Sequence, residues 1–159
     1  MRITEELSIA IAVDGRFIAA DVGMQVSLAE VKVGVTYPVA PLEIARRELA
    51  PSLARRLILL GETLDATSAV AQAVFDERVP AGDLLAHAVE QACRYAGLPP
   101  QAFATTKRQL RSQSLQRIVA ARAGQNEPRL AAWLGEETRR ASEAVLRAAA
   151  TMRRGVLRA

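Results

Sequence analysis

The chain has 159 residues, a length that fits one domain with a sizeable hydrophobic core. Half of the residues are hydrophobic and 24% are charged, so the composition excludes a chain that is disordered throughout. No apolar run is long enough to span a bilayer, and the net charge of +4 leaves several kinds of anionic partner open.

The N-terminus and the cysteine content indicate a cytoplasmic protein. Acidic Glu5 and Glu6 lie where a secretory signal peptide carries positive charge. The single cysteine, Cys93, has no partner for an internal disulfide, and we expect it in the core. His87, the only histidine, has no cysteine or acidic partner at ligand spacing, so we predict no metal site.

The first forty residues favour short strands. Apolar runs cover residues 8–13 and 16–20, on either side of Asp14 and Gly15. Residues 31–35 alternate valine with lysine and glycine, as a half-buried strand does. We therefore predict strands in these three places.

Helices are predicted for most of the remaining chain. Pro41, Pro51 and Pro100 are each well placed as the first residue of a helix, where no N–H donor is needed. The predicted helices cover residues 41–49, 51–60, 66–73, 82–96, 100–121 and 127–150.

Two of these helices have an apolar face that must be covered. On the helix at 82–96 this face comprises Leu84, Leu85, Ala88, Val89 and Ala92. On the last helix it comprises Leu130, Trp133, Leu134, Ala141, Val145 and Ala148. The last helix packs either within its own chain or across a subunit boundary, and the sequence leaves both arrangements open.

Short motifs follow one another in a distinctive order. Asp14, Arg16, Ala19 and Ala20 precede a glutamate that opens the run EVKVG at residues 30–34, and Pro38 and Pro41 follow it. Further motifs are LLGETLDA at 59–66, VFDERVP at 74–80, DLL at 83–85, LPP at 98–100 and ATTKRQLR at 104–111. Over roughly residues 9–145, this order resembles the enoyl-CoA hydratase/isomerase (crotonase) superfamily.

The resemblance implies an α/β fold of the crotonase/ClpP-like type, mostly helical, with short N-terminal strands followed by about six helices. It also implies a truncated chain, because family members carry further strands and a Gly-rich turn before the position of Asp14. That section supplies the two backbone donors of the family's oxyanion hole. We predict a partial core at residues 1–98 and a helical segment at 99–159 that forms oligomer contacts and covers the acyl-CoA site.

The resemblance further implies catalysis on an acyl-CoA thioester in fatty-acid-type metabolism. Glu30 matches a catalytic glutamate of the family and would move a proton beside an enolate, either hydrating a 2-enoyl-CoA or shifting a double bond. Gly34, Pro38 and Lys107 would bind substrate, with Lys107 reaching a phosphate of coenzyme A. Coenzyme A enters as part of the substrate and no separate cofactor is expected. The family's oligomers imply a homotrimer or hexamer.

Each residue has a simpler interpretation. Glu30 is otherwise a half-exposed strand-end carboxylate paired to Lys32 or Arg46, and Lys107 is otherwise a solvated helix residue. Neither Glu5 nor Glu6 fits the place of a second catalytic glutamate found in the family's hydratases. A partner chain would have to provide the oxyanion hole.

Two other classes of protein stay open beside the acyl-CoA enzyme. The first is a catalytically inactive remnant that keeps an oligomerisation role. The second is a basic helical binding module, for which the doublets Arg139-Arg140 and Arg153-Arg154 are the only support. Because no aromatic platform is interleaved with these arginines and no nucleic-acid-binding fold is recognised, we expect no nucleic acid as a partner. We expect no membrane as a partner either.

Overall fold

The computed structural model of the chain describes residues 2–3, 5–20, 23–124 and 133–156. Within these ranges the strands are β1 (Arg2–Ile3), β2 (Phe17–Ala19), β3 (Gln25–Ser27), β4 (Thr63–Asp65) and β5 (Glu77–Val79). The α-helices are α1 (Glu5–Ala10), α2 (Val39–Glu48), α3 (Pro51–Leu60), α4 (Ala66–Ala71), α5 (Leu84–Ala96), α6 (Pro100–Arg122) and α7 (Glu136–Val156). A 3-10 helix covers Glu30–Val33. The described chain is thus mostly helical with short strands, as predicted.

The strands form two small sheets. In one, β3 lies between β1, which is parallel to it, and β4, which is antiparallel to it, with Val26 opposite Leu64. In the other, β2 and β5 are parallel, with Ile18 opposite Arg78. Parallel pairing of strands this far apart in sequence requires long crossovers, and helices supply them here.

The hydrophobic core lies between these sheets and the helices that follow them. Its larger members lie in or shortly after α1, β2, β3, α3, β4 and α4: Leu7, Ile11, Ile18, Val26, Leu28, Leu53, Leu57, Leu64, Val74 and Phe75, each at most 4% exposed. Each such side chain stabilises the fold by about 1.5–3 kcal/mol relative to leaving it exposed.

Helix α3 has the predicted bounds because the sequence marks both of its ends. Pro51 begins it, and Gly61 ends it with a left-handed φ of 56°. A Cβ at Gly61 would come within 2.7 Å of Cε of Lys32, whose side chain lies over this glycine. The end of α3 is therefore packed against the 3-10 helix that contains Glu30.

The strand predicted at residues 8–13 is wrong. This segment belongs to α1 and the turn after it, because Leu7 and Ile11 are both 0% exposed while Ile9 is 71% exposed. A spacing of four between buried residues is helical, whereas a strand would have buried Ile9 together with both of them. The neighbouring prediction at 16–20 is confirmed by β2.

The strand predicted at residues 31–35 is also wrong. The segment forms the 3-10 helix and ends at Gly34, whose φ of 71° is left-handed. Val31 is 44% exposed, so the alternating valines do not mark a buried sheet face. The glycine allows the chain to turn back at once, since the N–H of Val35 donates to the carbonyl of Glu30 at 2.9 Å.

The apolar face predicted on α5 is exposed. No residue of α5 is buried, and Leu85 and Val89 are 78% and 54% exposed. Cys93 is exposed as well, so its predicted place in the core is wrong. The amphipathic pattern correctly predicted a helix but not a partner for it.

The last predicted helix is confirmed from Glu136 onward, while residues 127–132 of that prediction lie outside the described residues. Leu134 and Val145 are 79% and 43% exposed, so these two members of the predicted apolar face are not covered by the described chain. None of the described helices combines the length and the apolar character needed to cross a membrane.

Candidate active site

Glu30 lies at the start of a tight turn between β3 and α2. Leu28, two residues earlier, is 0% exposed, so the core holds the end of the strand in place. The Glu30 turn, defined here as residues 30–34, then makes one turn of 3-10 helix capped by Gly34. The backbone is thus held in place both before and after Glu30, which fixes the point from which its side chain extends.

One oxygen of the Glu30 carboxylate is buried without a hydrogen-bond partner. Among the described residues, Oε2 of Glu30 is the carboxylate oxygen in that state. Burying a carboxylate oxygen without a partner is costly, so such an atom requires an explanation, of which a catalytic role is one. The predicted alternative, a Glu30 paired to Lys32 or Arg46, is not seen in the described chain, because Lys32 lies over Gly61 and Arg46 pairs with Glu43 at 3.0 Å.

The hydroxyl of Tyr37 is the polar group beside this carboxylate. Tyr37 is 7% exposed, and its hydroxyl also lacks a well-formed hydrogen bond. Burial, and secondarily the neighbouring Glu30 carboxylate, raise the pKa of the Tyr37 phenol far above its ordinary value. The phenol is therefore neutral at physiological pH and keeps its proton for donation.

Helix α7 packs directly on the Glu30 turn. Thr138 donates from Oγ1 to the carbonyl of Gly34 at 2.8 Å. Just before α7, Trp133 donates from Nε1 to the carbonyl of Thr36, which follows the turn, at 3.1 Å. A Cβ at Gly34 would lie 2.9 Å from Cα of Thr138, so only glycine permits this approach. At least in this region, the last helix packs within its own chain.

The remaining predicted substrate residues lie in two separate places. Pro38 caps the start of α2 with a φ of −64° and follows the Glu30 turn directly. Lys107 lies on α6, where its ammonium group pairs with the carboxylate of Asp14. Glu30, Gly34 and Pro38 therefore share one loop, and Lys107 makes its contacts elsewhere.

Asp14 joins the predicted family motif near the N-terminus to α6. Besides Lys107, Arg111 donates to its Oδ1 at 2.7 Å, and the Tyr95 hydroxyl donates to its backbone carbonyl at 3.1 Å. The Lys107 ammonium also lies 5.7 Å from the centre of the Phe103 ring. These groups line a pocket of about 240 Å³ that also includes Arg47. Lys107 is thus paired with an acidic residue, while 37% of its side chain stays exposed to solvent.

His87 has an acidic neighbour that its sequence position did not reveal. Its Nε2 lies 3.1 Å from Oε2 of Glu77 on β5, without the geometry of a hydrogen bond, and its ring packs edge-on against Phe17 at 4.7 Å. No group of three metal-ligating side chains occurs in the described part of the chain.

Sequence reasoning missed Tyr37 as a member of the site. It lies in the segment after Glu30, where a single aromatic hydroxyl between Thr36 and Pro38 was the only available signal. No role as a second catalytic glutamate was predicted for Glu6, and its side chain is exposed.

The comparisons with known proteins agree with the motif order. The family described as enoyl-CoA hydratase/isomerase matches residues 7–142. Among solved structures, an enoyl-CoA hydratase from Mycobacterium marinum is 29% identical, with a TM-score of 0.69 over 75% of this chain and 52% of its own. The enoyl-CoA isomerase of Mycobacterium tuberculosis is 28% identical, with a TM-score of 0.69 and the same two coverages.

A more distant structure shares the fold alone. A methylmalonyl-CoA decarboxylase in complex with 2-nitronate-propionyl-CoA is 17% identical, with a TM-score of 0.69 over 92% of this chain and 56% of its own. Among curated proteins, none matches the chain. The chain spans about half the length of the solved hydratase and isomerase that it resembles. Since the family match covers most of the chain, the protein belongs to the enoyl-CoA hydratase/isomerase family.

Proposed function

We propose that this protein acts on an acyl-CoA thioester by moving a proton next to the thioester carbonyl, with Glu30 as the proton carrier. The observation that carries the proposal is the buried, unpartnered Oε2 of Glu30. A carboxylate oxygen that the protein leaves unpaired is available to a substrate C–H or to water. Family membership supplies the substrate class, and the geometry of this chain supports the residue.

A single glutamate fits double-bond isomerisation best. Glu30 would remove a proton from the carbon next to the thioester of a 3-enoyl-CoA, giving an enolate, and would return that proton to the γ carbon. The double bond then lies between the α and β carbons, and no atom is gained or lost. Hydration would need a second group to position water, and Glu6 is exposed. Hydration is therefore the second candidate reaction.

We also propose substrate contacts for the other residues that the sequence predicted to bind the acyl-CoA. Gly34 and Pro38 would form the wall beside the reacting carbon, since both flank Glu30 along the same loop. Lys107 would contact a phosphate of coenzyme A only by exchanging its present partner, Asp14. The reaction further needs donors to the enolate oxygen, which we place outside the described residues.

A homo-oligomer, a trimer or hexamer, is part of this proposal. Large apolar side chains are exposed on α5, on α6 and just before α7, among them Leu85, Leu110 and Leu134, at 78%, 69% and 79%. Apolar surface of this kind is typical of interfaces. Sedimentation equilibrium on the purified chain tests it, and a monomer at all concentrations would refute it.

The catalytic proposal is tested with Glu30→Gln and a matched control, Glu90→Gln, which alters an exposed glutamate on α5. Isomerisation of a 3-enoyl-CoA and hydration of crotonyl-CoA are followed on all three proteins, together with calorimetric binding of acetoacetyl-CoA. We expect Glu30→Gln to lower turnover about 10²–10⁴-fold with binding retained, and Glu90→Gln to match the wild type.

Two results would contradict the proposal. Equal turnover in Glu30→Gln and in the wild type would remove Glu30 from the chemistry. Binding of acetoacetyl-CoA by a wild-type chain that turns over neither substrate would favour the alternative, an inactive family member with a role in assembly.

A further inference from the structure

Helix α7 presents two hydroxyl groups to the Glu30 turn. Thr138 and Ser142 are one helical turn apart, so they lie on the same side of α7. Thr138 donates from Oγ1 to the carbonyl of Gly34 at 2.8 Å. Ser142 donates from Oγ to the carbonyl of Val33 at 3.4 Å. Both side chains are half-buried, and we call this pair the hydroxyl clamp.

The hydroxyl clamp reaches the end of the turn that the backbone leaves open. A helix leaves the carbonyls at its C-terminal end without partners inside the helix. The first carbonyls of the Glu30 turn are bonded by its own backbone, since the N–H of Val35 donates to Glu30 at 2.9 Å. The N–H of Gly34 likewise donates to Val31 at 3.1 Å. The carbonyls at the other end, on Val33 and Gly34, receive their donors from α7.

A single peptide unit links the hydroxyl clamp to Glu30. The carbonyl of Gly34 and the N–H of Val35 belong to the same planar peptide. That carbonyl accepts from Thr138, and that N–H donates to the carbonyl of Glu30. Because the unit is planar, the hydroxyl that fixes its carbonyl also fixes the direction of its N–H. The Thr138 hydroxyl therefore acts on the hydrogen bond that closes the turn at Glu30.

The Glu30 turn is also the main neighbour of α7. Among the described elements, the 3-10 helix is the one that α7 chiefly contacts. The approach is close, because a Cβ at Gly34 would lie 2.9 Å from Cα of Thr138. The hydrophobic core, by contrast, includes no described residue of α7. The polar contacts of this helix thus converge on the turn that carries Glu30.

We infer that Thr138 and Ser142 are positioning residues for Glu30, holding the turn closed so that the Glu30 carboxylate keeps its orientation toward the substrate. This inference rests on the proposed role of Glu30 as proton carrier. Neither hydroxyl exchanges a proton with the substrate. Because misplacing a reacting group by about 1 Å can cost about 10²-fold in rate, a contact behind the turn affects turnover more than binding.

The inference is tested without substrate by NMR measurement of hydrogen exchange at the Val35 N–H. Thr138→Val removes the hydroxyl and keeps the branched side chain, whereas Thr138→Ser keeps the hydroxyl. We expect exchange at Val35 to be about 10-fold faster than in the wild type in Thr138→Val, and at most about 3-fold faster in Thr138→Ser.

Two controls separate the hydroxyl clamp from general effects. Thr105→Val removes a threonine hydroxyl that is exposed on α6. Glu43→Gln removes a buried carboxylate on α2, so it lowers stability without removing a donor to the turn. We expect exchange at Val35 to stay at the wild-type rate in both. Unchanged exchange in Thr138→Val, or an equal increase in Glu43→Gln, would overturn the inference.

Turnover of a 3-enoyl-CoA provides the second readout, with the concentration of sites measured by calorimetric binding of acetoacetyl-CoA. We expect kcat per site to fall about 10-fold in Thr138→Val with KM within about 2-fold of the wild type, and Thr138→Ser to recover most of the loss. A merely structural role for Thr138 would lower the number of sites and leave kcat per site unchanged.

The two readouts distinguish this inference from the proposed function. A chain without turnover in which exchange at Val35 depends on Thr138 would contradict the proposed function and support the hydroxyl clamp. Turnover with an unchanged kcat per site in Thr138→Val would overturn the inference alone.

If Thr138→Val does not fold, Ser142→Ala decides. The carbonyl of Val33 shares its peptide unit with the N–H of Gly34, which donates to Val31. Because the Ser142 bond is the longer of the two, we expect exchange at the Gly34 N–H to be only about 3-fold faster in Ser142→Ala. Exchange at the wild-type rate would overturn the inference.

Discussion

The segment from α1 to β5 and the three helices after it differ sharply in how they bury their apolar residues. Apart from Ala121 on α6, every buried hydrophobic residue of the described chain lies between Leu7 and Val79. Helix α5 has no buried residue, although its apolar face is as regular as that of α3. The same periodicity therefore predicts a helix in both regions, but only in the first does the chain itself cover the apolar face.

The difference separates two parts of the site. Some of its groups lie in the segment that contains the core, and others reach it from the helices that bury few apolar side chains. Glu30 and Tyr37 belong to the well-packed region, with Tyr37 a member of the core itself. The contacts that reach the site from beyond this segment are polar, and they come chiefly from Thr138 on α7 and from Trp133 just before α7. Glu30 and Tyr37 thus lie in the segment that contains the core, while the contacts that cover them come from a part of the chain that buries few apolar side chains.

The largest expected effect is a loss of stability in the segment from α1 to β5, which contains the core. Leu57→Ala removes a side chain that is 0% exposed on α3 and should lower the free energy of unfolding by about 2–5 kcal/mol. Leu85→Ala, at a residue 78% exposed on α5, should change it by less than about 0.5 kcal/mol. Urea denaturation at low protein concentration measures both. Equal losses would show that α5 is covered after all.

Glu43 connects the two regions. It is 4% exposed on α2 and accepts hydrogen bonds from Arg46 and, across to α6, from Arg117, each at 3.0 Å. Both arginines are half exposed, so Glu43→Gln should cost about 1–2 kcal/mol of stability, below the full value for a buried charged pair.

Glu143→Gln is the control for Glu43, since this glutamate pairs with arginines on the exposed surface of α7. Its cost should be below about 0.5 kcal/mol. If the two variants were equally stable by urea denaturation, Glu43 would not be holding α6 against α2.

Gly34→Ala tests the contact of α7 with the Glu30 turn. Alanine is strained at the left-handed φ of 71°, and its Cβ would lie 2.9 Å from Cα of Thr138. Together the two effects should lower the free energy of unfolding by about 1–3 kcal/mol. Amide hydrogen exchange should show faster exchange in α7 than in the wild type. Gly82→Ala, where a Cβ meets nothing within 4 Å, is the control. Unchanged protection of α7 in Gly34→Ala would contradict the packing described here.

The smallest expected effect is a loss of stability at alkaline pH, and it comes from Tyr37. Since its pKa is raised in the folded protein, the unfolded chain ionises first, at its ordinary value of 10.0, while the folded phenol stays neutral. This contribution to stability is fully present below that value and is lost as pH rises above it, by at most about 1.4 kcal/mol per pH unit. Denaturation at pH 9 and pH 11 should show this loss in the wild type and a smaller one in Tyr37→Phe. Equal losses would mean that Tyr37 is not protected from ionisation.

The predictable parts of the fold were those that local chemistry determines. Pro51 and Gly61 mark α3 to the residue, and the motif order was sufficient to identify the family. The segment at 8–13 was predicted as a strand because its apolar residues are contiguous, and only packing shows that Leu7 and Ile11 are buried while Ile9 is not.

The site was predictable in part for the same reason. Glu30 has a local motif, whereas the partner of Lys107 lies 93 residues away at Asp14 and leaves no trace in the neighbouring sequence. Tyr37 becomes significant only when its hydroxyl is seen beside Glu30 in the core. The assignment of residues 1–98 and 99–159 to two segments, like the substrate roles of Gly34 and Pro38, stays a prediction.

Proton exchange at the carbon next to the thioester tests the central claim most directly. Butyryl-CoA incubated with the protein in D₂O and followed by ¹H NMR reports enolate formation without requiring a complete reaction. We predict that the wild type incorporates deuterium at the α carbon and that Glu30→Gln does so about 10²–10⁴-fold more slowly, while Glu90→Gln behaves as the wild type. Exchange at the same rate in Glu30→Gln, or none in the wild type under conditions where acyl-CoA binds, would contradict the assignment of Glu30 as the proton carrier.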